Sequence, residues 1–267
     1  MRRSLLILTV LVAGIVSSYA QGITVSPTRL FFTGGPGSSA TQTVTITNGG
    51  KTPFAFKAAL SDWYRDSTGE KVYANAGTLP RSNAGWLKLS ETNVTVQPGE
   101  SKQLNVMMSV PANATNVVTN SMLMLTQIAQ QSDEYIKNNN IGIKVLFEFG
   151  LHVYYTPENN TKEDLDFTAI NHIGKVTIAD KVYNRIAVKV KNIGNTTSDS
   201  SIDFEITNKS TGEETKLEPV PVSMMPDAEQ IVFFDIPEKY KGEFAGVAIL
   251  RVGSAANVRV GEKNLSL

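Results

Sequence analysis

Between residues 141 and 155 the chain reads IGIKVLFEFGLHVYY, and every odd-numbered position is apolar. Ile141, Ile143, Val145, Phe147, Phe149, Leu151, Val153 and Tyr155 share one face of an extended chain, because side chains alternate faces along a strand. A helix would scatter the same residues around its axis. The run is also longer than the usual strand of about five or six residues. A strand of this length with one wholly apolar face either spans a deep sandwich core or offers part of that face to another chain.

The 267 residues are 41% hydrophobic and 19% charged. That is enough apolar surface for a packed core and too little charge for a disordered chain. The N-terminus, MRRSLLILTVLVAGIVSSYAQG, has two arginines, an apolar stretch from Leu5 to about Val16, and small residues at Ser18 and Ala20. This three-part pattern predicts a secretory signal over residues 1–20, cut after Ala20. The alternative is an uncleaved anchor, but the apolar stretch is short for a spanning helix. Without Arg2 and Arg3, 23 basic residues face 25 acidic ones, so no basic field exists to hold nucleic acid. The chain contains no cysteine. An exported protein without disulfides relies on its cores, and thiol nucleophiles and cysteine metal sites are excluded.

Short alternating runs recur between turn-forming residues. ITVSPTRLFF, TQTVTITNGG, FAFKAALSDWY, VTVQPGESKQLNVMMSVP and SMLMLTQIA precede the long run. In the second of these, Thr43, Thr45 and Thr47 face away from Val44 and Ile46. Six or seven strands at this spacing predict an Ig-like sandwich over residues 21–157. A polar stretch from Ile128 to Asn140 is expected to form a mobile loop leading into the long strand. After Tyr155, TPENNTKEDLD predicts an interdomain link with the boundary near residue 158. FTAINHIGKVTI, RIAVKVKNIGN, SIDFEITNKSTG, EQIVFFDIP and GVAILRVG then predict a second sandwich over 158–267. TVTITNGG is echoed by VKVKNIGN, and QPGESKQLNVMMSVP by MPDAEQIVFFDIP, which argues for two related units. The expected fold is all-β, two Ig-like sandwich domains.

Catalytic constellations are not legible. His152 is expected on the polar face of the long strand, His172 in a strand or turn, and neither has a partner histidine at metal spacing. Gly34-Gly35-Pro36-Gly37 lacks the Lys-Ser/Thr and helix of a phosphate loop and reads as a turn. No serine sits in a G-x-S-x-G elbow. Glu163, Asp164 and Asp166 read as a solvated linker, and Asp133-Glu134 lacks the further ligands of a calcium site. Trp63 and Trp86 read as core or rim of the first sandwich. An enzyme, a cofactor and a bound metal are not expected.

SPTRLFF in the first strand, TVTITNGG, VTVQPGESKQLNV and the ending LHVYYTP, followed by a second Ig-like unit, resemble the periplasmic chaperones of pilus and fimbrial assembly. The likeness is good over residues 23 to 157 and weak beyond. It implies two Ig-like domains in an L or boomerang arrangement. It also implies that the long strand completes a fibre subunit's unfinished sandwich by β-augmentation, with 141–149 as the donor portion and the residues near Tyr155 held in the chaperone's own core. Ile141, Ile143, Lys144, Val145, Phe147 and Phe149 would then contact the subunit. Arg29 matches the basic residue of the first strand that holds the subunit's terminal carboxylate, for which a planar guanidinium fork is suited. The family's second cation, a lysine on the long strand, is replaced by Gly150; His152 and Lys144 lie on the same strand face. Implied partners are pilin or other surface-fibre subunits and an outer-membrane assembly protein, with a self-capping dimer as a way to shield a sticky edge. The competing reading is a structural or adhesive surface protein of Ig-like modules. Such proteins usually end in a membrane helix and basic tail, whereas this sequence ends VGEKNLSL.

Overall fold

In the computed structural model, residues 22–128, 146–253 and 257–267 are described. The turn signals and period-two runs are realised as strands. The first ten are β1 (Ile23–Ser26), β2 (Arg29–Gly34), β3 (Ser39–Asn48), β4 (Phe54–Arg65), β5 (Lys71–Asn75), β6 (Leu87–Leu89), β7 (Asn93–Val96), β8 (Ser101–Ser109), β9 (Thr119–Gln127) and β10 (Glu148–Pro157). A 3₁₀ turn, Ala84–Trp86, interrupts them. They form two sheets, ordered β1-β3-β8-β6 and β2-β10-β9-β4-β5, with β7 pairing β4.

The remaining strands are β11 (Leu165–Ile178), β12 (Lys181–Asn192), β13 (Ser198–Asn208), β14 (Glu214–Lys216), β15 (Val220–Met224), β16 (Glu229–Pro237), β17 (Glu243–Val252) and β18 (Asn257–Ser266). Their sheets are ordered β11-β12-β16 and β14-β13-β17-β18, with β15 on β13. The protein is all-β. Leu30, Ile46, Leu104, Leu123, Leu151 and Tyr155 belong to one buried cluster, and Ile186, Val188, Phe204, Phe234 and Leu250 to a second.

The alternation within single strands decides which face enters a core. Val44 and Ile46 of β3 are fully buried, whereas Thr43 donates to Asn105 Oδ1 at 2.8 Å and Thr47 pairs with Ser101 on the opposite face. The opening run departs from the single strand expected of it. Ile23–Ser26 pairs antiparallel with β3, and Arg29–Gly34 pairs parallel with β10 in the other sheet. The break falls at Pro27, which has no N–H to give to a ladder.

The echo between TVTITNGG and VKVKNIGN is one device built twice. Asn48 and Asn192 each close a strand and are completely buried. Asn48 Nδ2 donates to the carbonyls of Thr52 (2.8 Å) and Val96 (3.0 Å), while its Oδ1 accepts from Gly50 N–H (2.8 Å). Asn192 repeats this with Thr196 (3.0 Å), Met224 (3.1 Å) and Gly194 N–H (2.8 Å). Each amide satisfies three backbone groups where a turn meets a neighbouring strand. Deleting a buried partner leaves those groups unpaired, at about 1–3 kcal/mol. Asn48→Ala and Asn192→Ala are each expected to lower stability in urea unfolding by about that amount; midpoints matching wild type would show that water replaces the amide at no cost.

Candidate functional site

The apolar face of the long run is graded along its length. Leu151, Val153 and Tyr155 are buried in the first core. Phe149 is half-buried, meeting Phe56 edge-on at 5.9 Å. Phe147 is 42% exposed, although it stacks on Phe149 at 6.2 Å and lies 6.1 Å from Phe54. The ladder therefore continues the core outward until its last described ring is only half covered. Ile141, Ile143, Lys144 and Val145 lie outside the described residues, as does most of the loop expected before them.

The backbone of this segment is paired on one side. β10 runs antiparallel to β9 from Glu148↔Thr126 to Tyr155↔Thr119, and Gln127 N–H donates to the Phe147 carbonyl at 2.9 Å. On the other side β2 joins only at His152↔Arg29, where His152 N–H donates to the Thr28 carbonyl at 3.0 Å. Backbone groups alternate sides along a strand. Phe147 faces β9, so the N–H and C=O groups of Glu148 and Gly150 point to the other edge, where no strand among the described residues reaches them. The parallel register would set Pro27 beside Gly150 and Val25 beside Glu148, but β1 has left for the other sheet. The sheet switch leaves a gap in line with β2, and Arg29 stands at its end.

The opposite face of β10 is covered. His152, expected on the polar face of the strand, is only 6% exposed. Its ring stacks on Trp63 at 4.3 Å, Tyr154 meets Trp63 edge-on at 6.2 Å, and Phe31 stacks on Tyr154 at 5.4 Å. Trp63, Met122 and Tyr154 form a third buried cluster, against which Met225 of the second sandwich packs. Trp86 belongs to the first core, as read from sequence, whereas Trp63 sits at the junction of the two sandwiches.

Further ties hold that junction. Ile231 N–H donates to the Ser67 carbonyl at 2.7 Å, and Arg81 pairs with Asp227 at 2.8 Å. Gly69 has φ +87°, and a Cβ there would lie 2.3 Å from Gln230 Nε2, so this close approach requires glycine. A cleft of about 490 Å³ remains between the sandwiches, lined by Trp63, Arg65, Tyr154, Met225 and Gln230 among others.

Arg29 reaches the same junction and is already engaged, its guanidinium paired with Asp199 of β13. Gly150 carries no charge, and a Cβ there would lie 3.1 Å from Met122 Sδ. His152 cannot replace the missing lysine as a cation near neutrality. Burial first, then Lys71, Arg29 and Arg65, lower its pKa from 6.5 to about 4. Burial likewise pushes Tyr154 up to about 12. The acidic stretch read as a solvated linker is instead partly tied down. Asp164 is 15% exposed and pairs with Lys162 (3.0 Å) and Arg259 (2.9 Å), which hold its carboxyl below the usual range. Gly34 to Gly37 does form a turn, with Ser38 N–H donating to the Gly35 carbonyl at 3.1 Å. No helix among the described residues is long and apolar enough to cross a membrane.

No family model matches the chain, and no curated protein matches it significantly. Solved structures of similar architecture include fimbrial chaperones. The class 5 fimbriae chaperone CfaA has a TM-score of 0.49 and 12% identity over 91% of this chain and 99% of that one. The E. coli chaperone DraB has 0.48 and 11% over 92% and 98%. A chain of the Salmonella enterica SafA pilin complex with the SafB chaperone has 0.48 and 11% over 94% and 99%. Likeness at this level concerns architecture; the reading of the site comes from this chain's own residues.

His152 makes the junction sensitive to acid. Its unfolded pKa lies near 6.5 and its folded pKa near 4, so between those values only the unfolded chain takes up the proton. This contribution to stability is present above about pH 6.5 and is lost as pH falls toward 4. His152→Gln is expected to flatten the fall of melting temperature over that window. Parallel wild-type and variant curves would show that the imidazole does not titrate this way.

Proposed function

We propose that the protein is a periplasmic chaperone that lends its long strand to a surface-fibre subunit. The observation that carries the reading is the half-open end of β10, where a core-forming aromatic ladder emerges beside an unpaired backbone edge. Such an edge is an aggregation hazard if nothing covers it. A partner strand laid in line with β2 would accept the hydrogen bonds of Glu148 and Gly150, while Phe147 and Phe149, with Val145, Ile143 and Ile141 before them, would fill the partner's open groove. Burying about four such side chains gains roughly 6–12 kcal/mol before ordering costs.

The same geometry gives Arg29 a role. A strand running parallel to β10 in the gap must stop where β2 begins, so its C-terminal carboxylate arrives at Arg29. In this reading residues 1–20 direct export and are removed after Ala20. Residues 21–157 present the strand, with Lys144 at the rim of the contact, and residues 158–267 brace the face behind it.

The test is capture of clients from periplasmic extract with mass spectrometry. Wild type is expected to retain a fibre subunit, and the Val145→Asp, Phe147→Asp double variant to lose it while keeping its melting curve. Retention by the folded variant would overturn strand donation. Arg29→Ala is expected to weaken capture by about tenfold, the worth of a charge-assisted bond of about 1.5 kcal/mol; undiminished capture would remove Arg29 from the site.

A further inference from the structure

One face of the first sandwich gathers soft donors that strand donation does not use. β9 carries Met122 and Met124, the register partners of His152 and Gly150 on β10. Because Gly150 has no side chain, both thioethers lean over it. A Cβ there would lie 3.1 Å from Met122 Sδ and 3.5 Å from Met124 Sδ. His152 stands next to that pair on the same strand face, since residues two apart share a face. Its ring is stacked on the Trp63 indole at 4.3 Å. Met122, Trp63 and His152 are buried, whereas Met124 is half-buried and gives an ion a way in.

The donor set is chemically narrow. His152 Nδ1 meets Tyr154 Oη at 3.2 Å. With Nδ1–H donating to that oxygen, the lone pair lies on Nε2, which has no hydrogen-bond partner among the described residues. Carboxylates stand nearby but are engaged. Asp66 accepts from Thr68 N–H, Asp227 pairs with Arg81, Glu229 with Lys189 and Asp199 with Arg29. Two thioether sulfurs and one imidazole remain, and together they suit a soft ion. Charge narrows the choice further. Arg29 is the register partner of His152, and the Arg65 guanidinium lies 5.6 Å from the centre of the Trp63 ring. Repulsion from these cations doubles for a divalent ion relative to a monovalent one.

We propose that Met122, Met124 and His152 bind a single Cu(I) ion, with the Trp63 indole packed over the imidazole. The inference is independent of strand donation. It involves no redox step, since the ion arrives and leaves as Cu(I) and exchanges only the ligands it came with. An ammonium in this place would bring its charge to a buried face without compensation, whereas Cu(I) gains coordination bonds that offset its loss of water. The three rotatable bonds of each methionine let its sulfur adjust to the ion. Binding ties β9 to β10 beside the buried half of the long strand, under the second sandwich, whose Met225 packs against the same cluster. An ion held only by the folded protein also raises its stability.

The probes are Ag(I), which shares the charge and softness of Cu(I) without its redox chemistry, Cu(I) supplied anaerobically as its bicinchoninate complex, and Zn(II). The whole protein, labelled at its methionine methyls, is titrated with Ag(I) in chloride-free buffer and followed by NMR. The Met122 and Met124 signals are expected to shift and to saturate at a single ion per chain, with those of Met107 and Met108 unmoved. The melting temperature should rise with Ag(I) and not with Zn(II), and the protein should draw Cu(I) from the chelator. The Met122→Leu, Met124→Leu double variant keeps side-chain volume and is expected to fold and to lose saturable uptake. His152→Gln is expected to weaken uptake, and unchanged uptake would remove the imidazole from the proposed set. Shifts confined to Met107 and Met108, or undiminished uptake by the folded double variant, would mean an adventitious ion only and overturn the site. An equal response to Zn(II), or no uptake of Ag(I) and Cu(I), would overturn it too. Should the double variant fail to fold, the wild-type methyl shifts decide.

Discussion

The change of sheet at Pro27 is the constraint on which the rest of this site depends. β1 pairs with β3 and β2 with β10, so one short stretch of chain ties the two layers of the first sandwich together. It also leaves β10 with an unequal pair of edges, one covered by β9 from Phe147 onward and the other by β2 only from His152. A straight first strand would have sealed both and left a closed sandwich. The open gap, its position in line with β2, and the placing of Arg29 at its end all follow from that one departure.

The opening stays confined because the surrounding layers are closed elsewhere. On the inner face, Leu151, Val153 and Tyr155 anchor β10 in a core with Leu30, Phe32 and Leu123, which fixes the direction in which Phe149 and Phe147 project. On the outer face, Met225 and the Ser67–Ile231 and Arg81–Asp227 ties seat the second sandwich over Trp63 and Tyr154. The long strand is therefore rigid at one end through burial on both faces and free at the other on one face and one edge. A binding element gains affinity when it is ordered in advance, and in the proposed docking that order would come from the half of β10 buried in the core.

Much of this was legible in the period-two pattern. Of the eight alternating positions, those from Phe149 to Tyr155 lie in one strand, and the division into core and offered edge was what the family likeness implied. For the described part, Leu151 to Tyr155 are buried and Phe147 is half open. The paired asparagines, too, were visible as an echo between NGG and NIGN. What the pattern could not give was anything set by a second layer. The burial of His152 was not legible because one strand's alternation records only which face a residue takes, and the cover on that face comes from Trp63, some ninety positions earlier. Asp164 looked like linker charge because Arg259 is far away in sequence. The split of ITVSPTRLFF was signalled by Pro27, but one proline does not say to which sheet each half goes.

The missing lysine at Gly150 gains a physical context from the same layering. A side chain there would press on Met122 Sδ, and an added ammonium would stand on the strand face that carries His152, where burial first, and then Lys71, Arg29 and Arg65, already disfavour positive charge. A further cation on β10 would add to that repulsion. Arg65 and Lys71 of the β4–β5 hairpin carry positive charge on this side of the sheet, and Gly150 keeps an unobstructed backbone edge. Within the sheet, β10 carries the apolar ladder and the open backbone edge, and the neighbouring strands and the second sandwich set the electrostatics around His152.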